Sequence, residues 1–203
     1  MIENTDKLLE FITAENLSLY DILSDENVLG KEHLELEFGV SNGEDGEKQL
    51  QSKFLDESSN VIAALAEFSS EIRESSIPLY SGFCSFESFT YEFDLHLIAL
   101  EDNLILLSYS SGQGTRIEFF NELEDSLEWC SICLTNHIDY IEVELSNYRE
   151  NKSYYDDSDS VGYGLSLNLE WNFPLPDYLL GKEIISREYL SEIKTIEEGI
   201  KSF

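Results

Sequence analysis

Cations are scarce in this chain. Twelve Lys and Arg stand against 42 Asp and Glu over 203 residues, a formal net charge of -30. Such a balance argues against nucleic acid and anionic membranes as direct partners, because either would bring like charges together. It also leaves few groups to hold a phosphorylated substrate. Cysteine is nearly as rare: Cys84, Cys130 and Cys133 are an odd, small set, unlike the framework of a secreted disulfide protein. The first seven residues, Met-Ile-Glu-Asn-Thr-Asp-Lys, hold no basic segment followed by an apolar one, so no signal peptide is expected. No apolar run approaches the roughly 18–20 residues of a membrane span. The cytoplasm is the expected location. Catalytic signatures are missing too: His33, His96 and His137 are scattered, with no Gly-x-Ser-x-Gly elbow, phosphate-binding glycine loop or His-Glu-x-x-His pair. A non-enzymatic role is expected, and no cofactor.

What is present is a foldable chain. Its hydrophobic fraction is 42%, with 12% aromatic, too rich for a disordered acidic tail. Self-repulsion at this charge opposes compactness, so a demand other than folding must favour it. A field of this sign speeds encounter with a basic protein surface.

Periodicity predicts an α+β fold. Leu8, Leu9, Ile12, Leu19 and Ile22 are helically spaced, whereas Leu34, Leu36 and Phe38 alternate with Glu35 and Glu37 as in a strand. Residues 48–74 read as a helix. Strands are expected over Glu87–Leu100, Leu104–Ser110, Thr115–Phe120, Ile138–Tyr148 and Leu165–Phe173, with helices over 121–136 and from Ser186, a capping residue, to about Ile200. Short connections join antiparallel strands directly. The expected architecture is a single α+β domain, residues 1–203: an antiparallel sheet of five or six strands with helices packed on one face.

Two acidic surfaces follow. The outward strand positions Glu35, Glu37, Glu92, Asp94, Glu118, Glu142, Glu144 and Glu170 would line one sheet face, relieved only by Arg116 and His96. Like charges across neighbouring strands repel, and a cationic partner would offset that. The segment Tyr148–Tyr163, expected to be a loop, holds Tyr154, Tyr155, Asp156, Asp157 and Asp159; tyrosines supply contact area and carboxylates pair with Lys or Arg. Its Asp157-Ser-Asp159-Ser-Val-Gly162 run starts like a calcium loop, but Asn168 stands where a bidentate Glu is required. Cys130-Ser-Ile-Cys133, His137 and Cys84 contain zinc-type donors, yet Cys130 and Leu134 share a core-facing helical stripe and no second CxxC exists. No metal site is expected.

The acidic excess, the strands Phe89-Thr-Tyr-Glu-Phe-Asp94 and Tyr140-Ile-Glu-Val-Glu144, and the run Tyr154-Tyr-Asp-Asp157 give the chain a general character that resembles bacterial toxin-immunity proteins. The resemblance implies a cytoplasmic inhibitor of a cognate basic toxin, often a nuclease, that blocks the toxin's active site. The alternatives are a nucleic-acid mimic and a regulatory adaptor, with a metal protein or enzyme behind them. Partner-binding residues expected on this reading are Tyr154, Tyr155, Asp156, Asp157, Asp159, Glu92, Asp94, Glu142, Glu144 and Glu170.

Overall fold

The computed structural model describes residues 5–14, 73–74, 76–86, 89–100, 103–120, 122–156 and 165–202. The expected strand over 33–40 and the turn-rich segment after it lie outside these residues, as does all but the end of the expected helix over 48–74. In chain order the elements are α1 (Thr5–Ala14), β1 (Tyr80–Phe86), β2 (Phe89–Leu100), β3 (Asn103–Ser110), β4 (Gly114–Phe120), α2 (Leu123–Asp156), β5 (Leu165–Trp171), α3 (Leu175–Gly181) and α4 (Arg187–Lys201).

Among the described residues the strands form one five-stranded sheet in the order β4-β3-β2-β1-β5, every pair antiparallel. The first four strands are a meander. β5 then joins the far edge, beside β1, after α2 has carried the chain back across the sheet. The α+β expectation therefore holds.

One face of the sheet bears Tyr80, Phe93, Leu95, Leu97, Leu104, Leu106 and Phe120, which merge into a core with Leu8 and Ile12 of α1, Leu127 to Leu145 of α2, Tyr178 and Leu179 of α3, and Ile193 and Ile196 of α4. Removing these side chains from water is the main force holding helices to sheet. Lys182 Nζ donates to Thr5 Oγ1 at 2.8 Å and ties α1 to the end of α3.

The opposite face is not simply polar. His96, Ile98, Ile105 and Leu107 are buried there, as the unbroken apolar run Leu104-Ile-Leu-Leu107 requires of a strand covered on both sides. His96 is therefore not an outward, solvated residue. Its Nδ1 lies 2.8 Å from Ser76 Oγ and its Nε2 3.2 Å from Asp94 Oδ1.

The largest correction concerns Ile138–Tyr148, which is helix and not strand. α2 runs unbroken for 34 residues, roughly 50 Å. Leu127, Cys130, Leu134, Ile138, Ile141 and Leu145 are all buried, at steps of three and four, while Val143 is 55% exposed. The helix expected over 121–136 was thus ended far too early, and the expected loop from Tyr148 is helical as far as Asp156. The two elements absent from the expected set are β1, the strand that joins the meander to β5, and α3, a two-turn helix entered through Pro174 and Pro176. α4 is capped as expected: Ser186 Oγ accepts from the Tyr189 amide at 3.1 Å. Among the described residues no helix is long and apolar enough to cross a membrane.

Candidate functional site

The structure disperses the expected sheet-face array. Glu92 and Glu170 are exposed on the face opposite α2, and Asp94 is half-buried there. Asp94 and Glu170 both pair with Ser81 of β1, one from each side, so a whole strand separates them. Asp94 is neutralised within the chain: Arg73 donates to its carboxylate through Nε at 3.1 Å and Nη2 at 2.5 Å. Burial pushes the Asp94 carboxyl up, but hydrogen bonds from His96 and Arg73 outweigh it and leave the group below its ordinary value. Arg73 also lies 3.4 Å over the Tyr109 ring, so Asp94 belongs to a fixed internal network. Glu118 is on the other face, where its register partner is Leu106, and accepts from Arg116 Nε at 2.6 Å. Glu142 and Glu144 stand on α2. Tyr154, Tyr155 and Asp156 form its last turn, and Asp157 and Asp159 lie outside the described residues, as do Glu35 and Glu37.

Two concavities flank α2. The first is a groove of about 360 Å³ between α2 and α4. Its walls carry Glu142 from α2 and Glu188 and Glu192 from α4; Leu145 and Ile196 supply apolar floor, and Arg149 is the one cation among the described residues that line it. Helical spacing explains this arrangement. Glu142 and Leu145 are three apart, as are Glu142 and neighbouring Asp139, so they share one side of α2. Gly199 lets the helices close. A Cβ there would stand 2.8 Å from Arg149 Nη2 and 3.5 Å from Leu145 Cδ1.

The second is a cleft of about 650 Å³ between α2 and the β3–β4 hairpin. Along β3 the helix-facing side chains change from Leu104 and Leu106 to Ser108 and Ser110, whose partners on β4 are Arg116 and Gly114. Small polar residues below and large ones above leave space. From α2 come Trp129, Ile132, Cys133, Asn136, His137 and Tyr140, one stripe of the helix. Tyr140 stacks on Tyr91 of β2 with ring centroids 4.0 Å apart.

His137 is the most constrained of these groups. Its ring stacks on Phe93 at 4.6 Å, and its Nδ1 shares a 2.7 Å hydrogen bond with the Tyr80 hydroxyl. Phe93 in turn lies across Gly82, where a Cβ would come within 2.4 Å of the Phe93 ring and 2.5 Å of the Asn168 carbonyl. Burial pulls the His137 pKa down to about 4, with only a small opposing pull from Asp94, so the ring is neutral near pH 7. Cys133, one helical turn away, has its thiol pushed up by burial, with a hydrogen bond to Ser108 opposing. The two shifts run against a thiolate–imidazolium pair, which needs the reverse of each. Cys84 is pushed up to about 12, by burial first and Glu144 second. All three cysteines are free and buried. No group of three or more His, Cys, Asp or Glu among the described residues is placed to hold a metal ion.

Sequence reasoning singled out Glu142 but not Glu188 or Glu192, and it missed the cleft. Glu188, Glu192 and Ile196 do stand at four-residue steps on α4, the one signal that could have found the groove. Compared with protein-family models, curated proteins and solved structures, the chain has no match.

Proposed function

We propose that the protein is a non-catalytic inhibitor that captures a basic protein partner in the α2–α4 groove, in the manner of an immunity protein against a basic toxin. One observation carries this reading: three carboxylates surround an apolar floor in a groove wide enough for a side chain. Lys and Arg have the matching build, an apolar stem ending in a charged head. Carboxylates also stand on the far face of the sheet, at Glu92 and Glu170, so charge by itself does not select a surface. The apolar floor does. Val143, exposed on the outer side of α2 beside Asp139 and Glu142, adds contact area at the rim. The net charge of -30 would accelerate the encounter, and the desolvated side chain would slow release. A nucleic-acid mimic would need carboxylates along a ridge; exposed acids on two helix walls around a floor of Leu145 and Ile196, with Arg149 among them, favour side-chain capture.

The test starts with affinity capture and mass spectrometry to obtain the partner. Binding is then compared between wild type, the groove triple Glu142→Gln/Glu188→Gln/Glu192→Gln, and the control triple Glu92→Gln/Glu170→Gln/Glu183→Gln. The groove triple is expected to lose at least about tenfold in affinity, and the control, with equal loss of charge, about twofold. Equal losses would reduce the interaction to non-specific charge. An acidic partner would sink it.

A further inference from the structure

The α2–hairpin cleft has a chemistry opposite to that of the rest of the molecule. Of 203 residues 42 are acidic, yet no carboxylate lines this cleft among the described residues. A cationic ligand would therefore find no lining carboxylate, and Glu118, beside the cleft, is already paired with Arg116. An anionic ligand fares no better. The single cation, Arg116, already has Glu118 at 2.6 Å and lies over Trp129 at 4.6 Å, and the field of the whole chain repels anions. His137 is held neutral by burial and fixed in place by its contacts with Tyr80 and Phe93. Elimination on charge leaves a neutral ligand.

The remaining chemistry narrows the class. Ser108 and Ser110 offer hydroxyls and Asn136 an amide, each able both to donate and to accept. With the Nδ1 of His137 engaged by Tyr80, its other nitrogen is what the ring retains for a ligand. Trp129, with Arg116 over one face, and the Tyr91–Tyr140 pair, each covering one face of the other, add the remaining aromatic surface, suited to polarised C–H groups. A volume of about 650 Å³ falls among those of small-molecule sites and fits one or two rings. We infer that this cleft binds a small neutral saccharide, one or two sugar units, through hydroxyl and amide hydrogen bonds over an aromatic wall. The inference is independent of the acidic groove, which lies on another side of α2.

The two tryptophans allow a direct test on the full chain. Trp129 lines the cleft, while the Trp171 indole donates to Glu197 on the α4 side and serves as an internal reference. Indole N–H signals are followed by NMR during titration with cellobiose, with N-acetylglucosamine, with adenosine as a neutral nucleoside and with citrate as an anion. Either saccharide should shift Trp129 with a Kd of about 1 mM or tighter and leave Trp171 in place. Asn136→Ala, at an exposed position, should weaken binding by about fivefold or more. Ser110→Leu, which fills the floor, should abolish it, and Ser108→Leu does the same from a less buried position if Ser110→Leu fails to fold. No shift at high millimolar saccharide overturns the inference. So do a response to adenosine or citrate alone, equal movement of both indoles, or indifference to Asn136→Ala.

Discussion

The groove and the cleft share a helix and little else. On its α4 side α2 presents Glu142 beside Leu145; on its β3–β4 side it presents Trp129, Asn136, His137 and Tyr140 with no acid among them. A chain this negative has sorted its charge by helix face. The field is therefore not uniform, and a cationic and a neutral ligand would be drawn to different sides of α2. The cleft is also the more rigidly built of the two. Its wall is stacked in depth, His137 on Phe93 and Phe93 over Gly82, whereas the groove walls are exposed side chains on two helices.

The deepest layer of that stack offers the largest effect. Gly82→Ala forces a methyl group against the Phe93 ring on one side and a backbone carbonyl on the other, and the carbonyl has no rotamer with which to escape. The expected cost is about 3 kcal/mol, read from the urea midpoint. Loss of the Trp129 response to saccharide should accompany it, while the groove, on the far side of α2, keeps its partner. If both sites fail together in the folded variant, they are not separable.

The next effect is a pH dependence owed to His137. The folded ring stays neutral down to about 4, whereas in the unfolded chain it protonates near 6.5. Between those values the unfolded state binds the extra proton, so stability present above pH 6.5 is lost as pH falls toward 4. The contribution is about 2–3 kcal/mol across that window. In His137→Gln that slope should vanish. Carboxylate titrations elsewhere are common to both proteins and cancel in the difference between their unfolding curves. Parallel curves would mean that the imidazole is protonated at little cost in the fold.

Why the cleft escaped sequence reasoning is instructive. Strands with clean alternation were legible: Leu165 to Trp171 and Phe89 to Leu100 fold as expected, and Ser186 caps α4. Ile138–Tyr148 misled because Ile141 and Leu145 are four apart, a separation that satisfies both a period of two and one of 3.6. Val143 tipped the pattern toward strand, and β-branching at 141 and 143 reinforced it. Ile138 was the discriminating residue. It falls in step with Leu134, Ile141 and Leu145 on a helix and out of step with 141, 143 and 145 on a strand. β1 was missed because Tyr80-Ser-Gly-Phe-Cys-Ser-Phe86 does not alternate cleanly: Phe83 falls on the face opposite Tyr80 and Cys84, and Gly82 weakens a strand locally while here making room for Phe93. The cleft itself depends on β3–β4 register and on α2 continuing past residue 136, so no local pattern contains it. The groove was half legible through Glu142, though for the wrong reason.

The smallest effect bears on the groove alone and has an unusual sign. Glu142, Glu188 and Glu192 gather around one depression with only Arg149 to offset them, so in the free protein they repel. Exposed like charges cost a few tenths of a kcal/mol per pair. Neutralising all three with Gln, in the triple used above to weaken partner binding, should therefore raise stability by about 0.5–1 kcal/mol. The gain should shrink in high salt, because screening acts within about 10 Å at 0.1 M. Asn136→Asp in the cleft makes the opposite change, adding an acid where the described lining has none, and should lower stability by a similar amount. A surface kept at a cost to the free fold is one whose carboxylates answer to something outside it. Were the groove triple less stable than wild type at low salt, those three acids would be structural, and the reason for placing a cation among them would be gone.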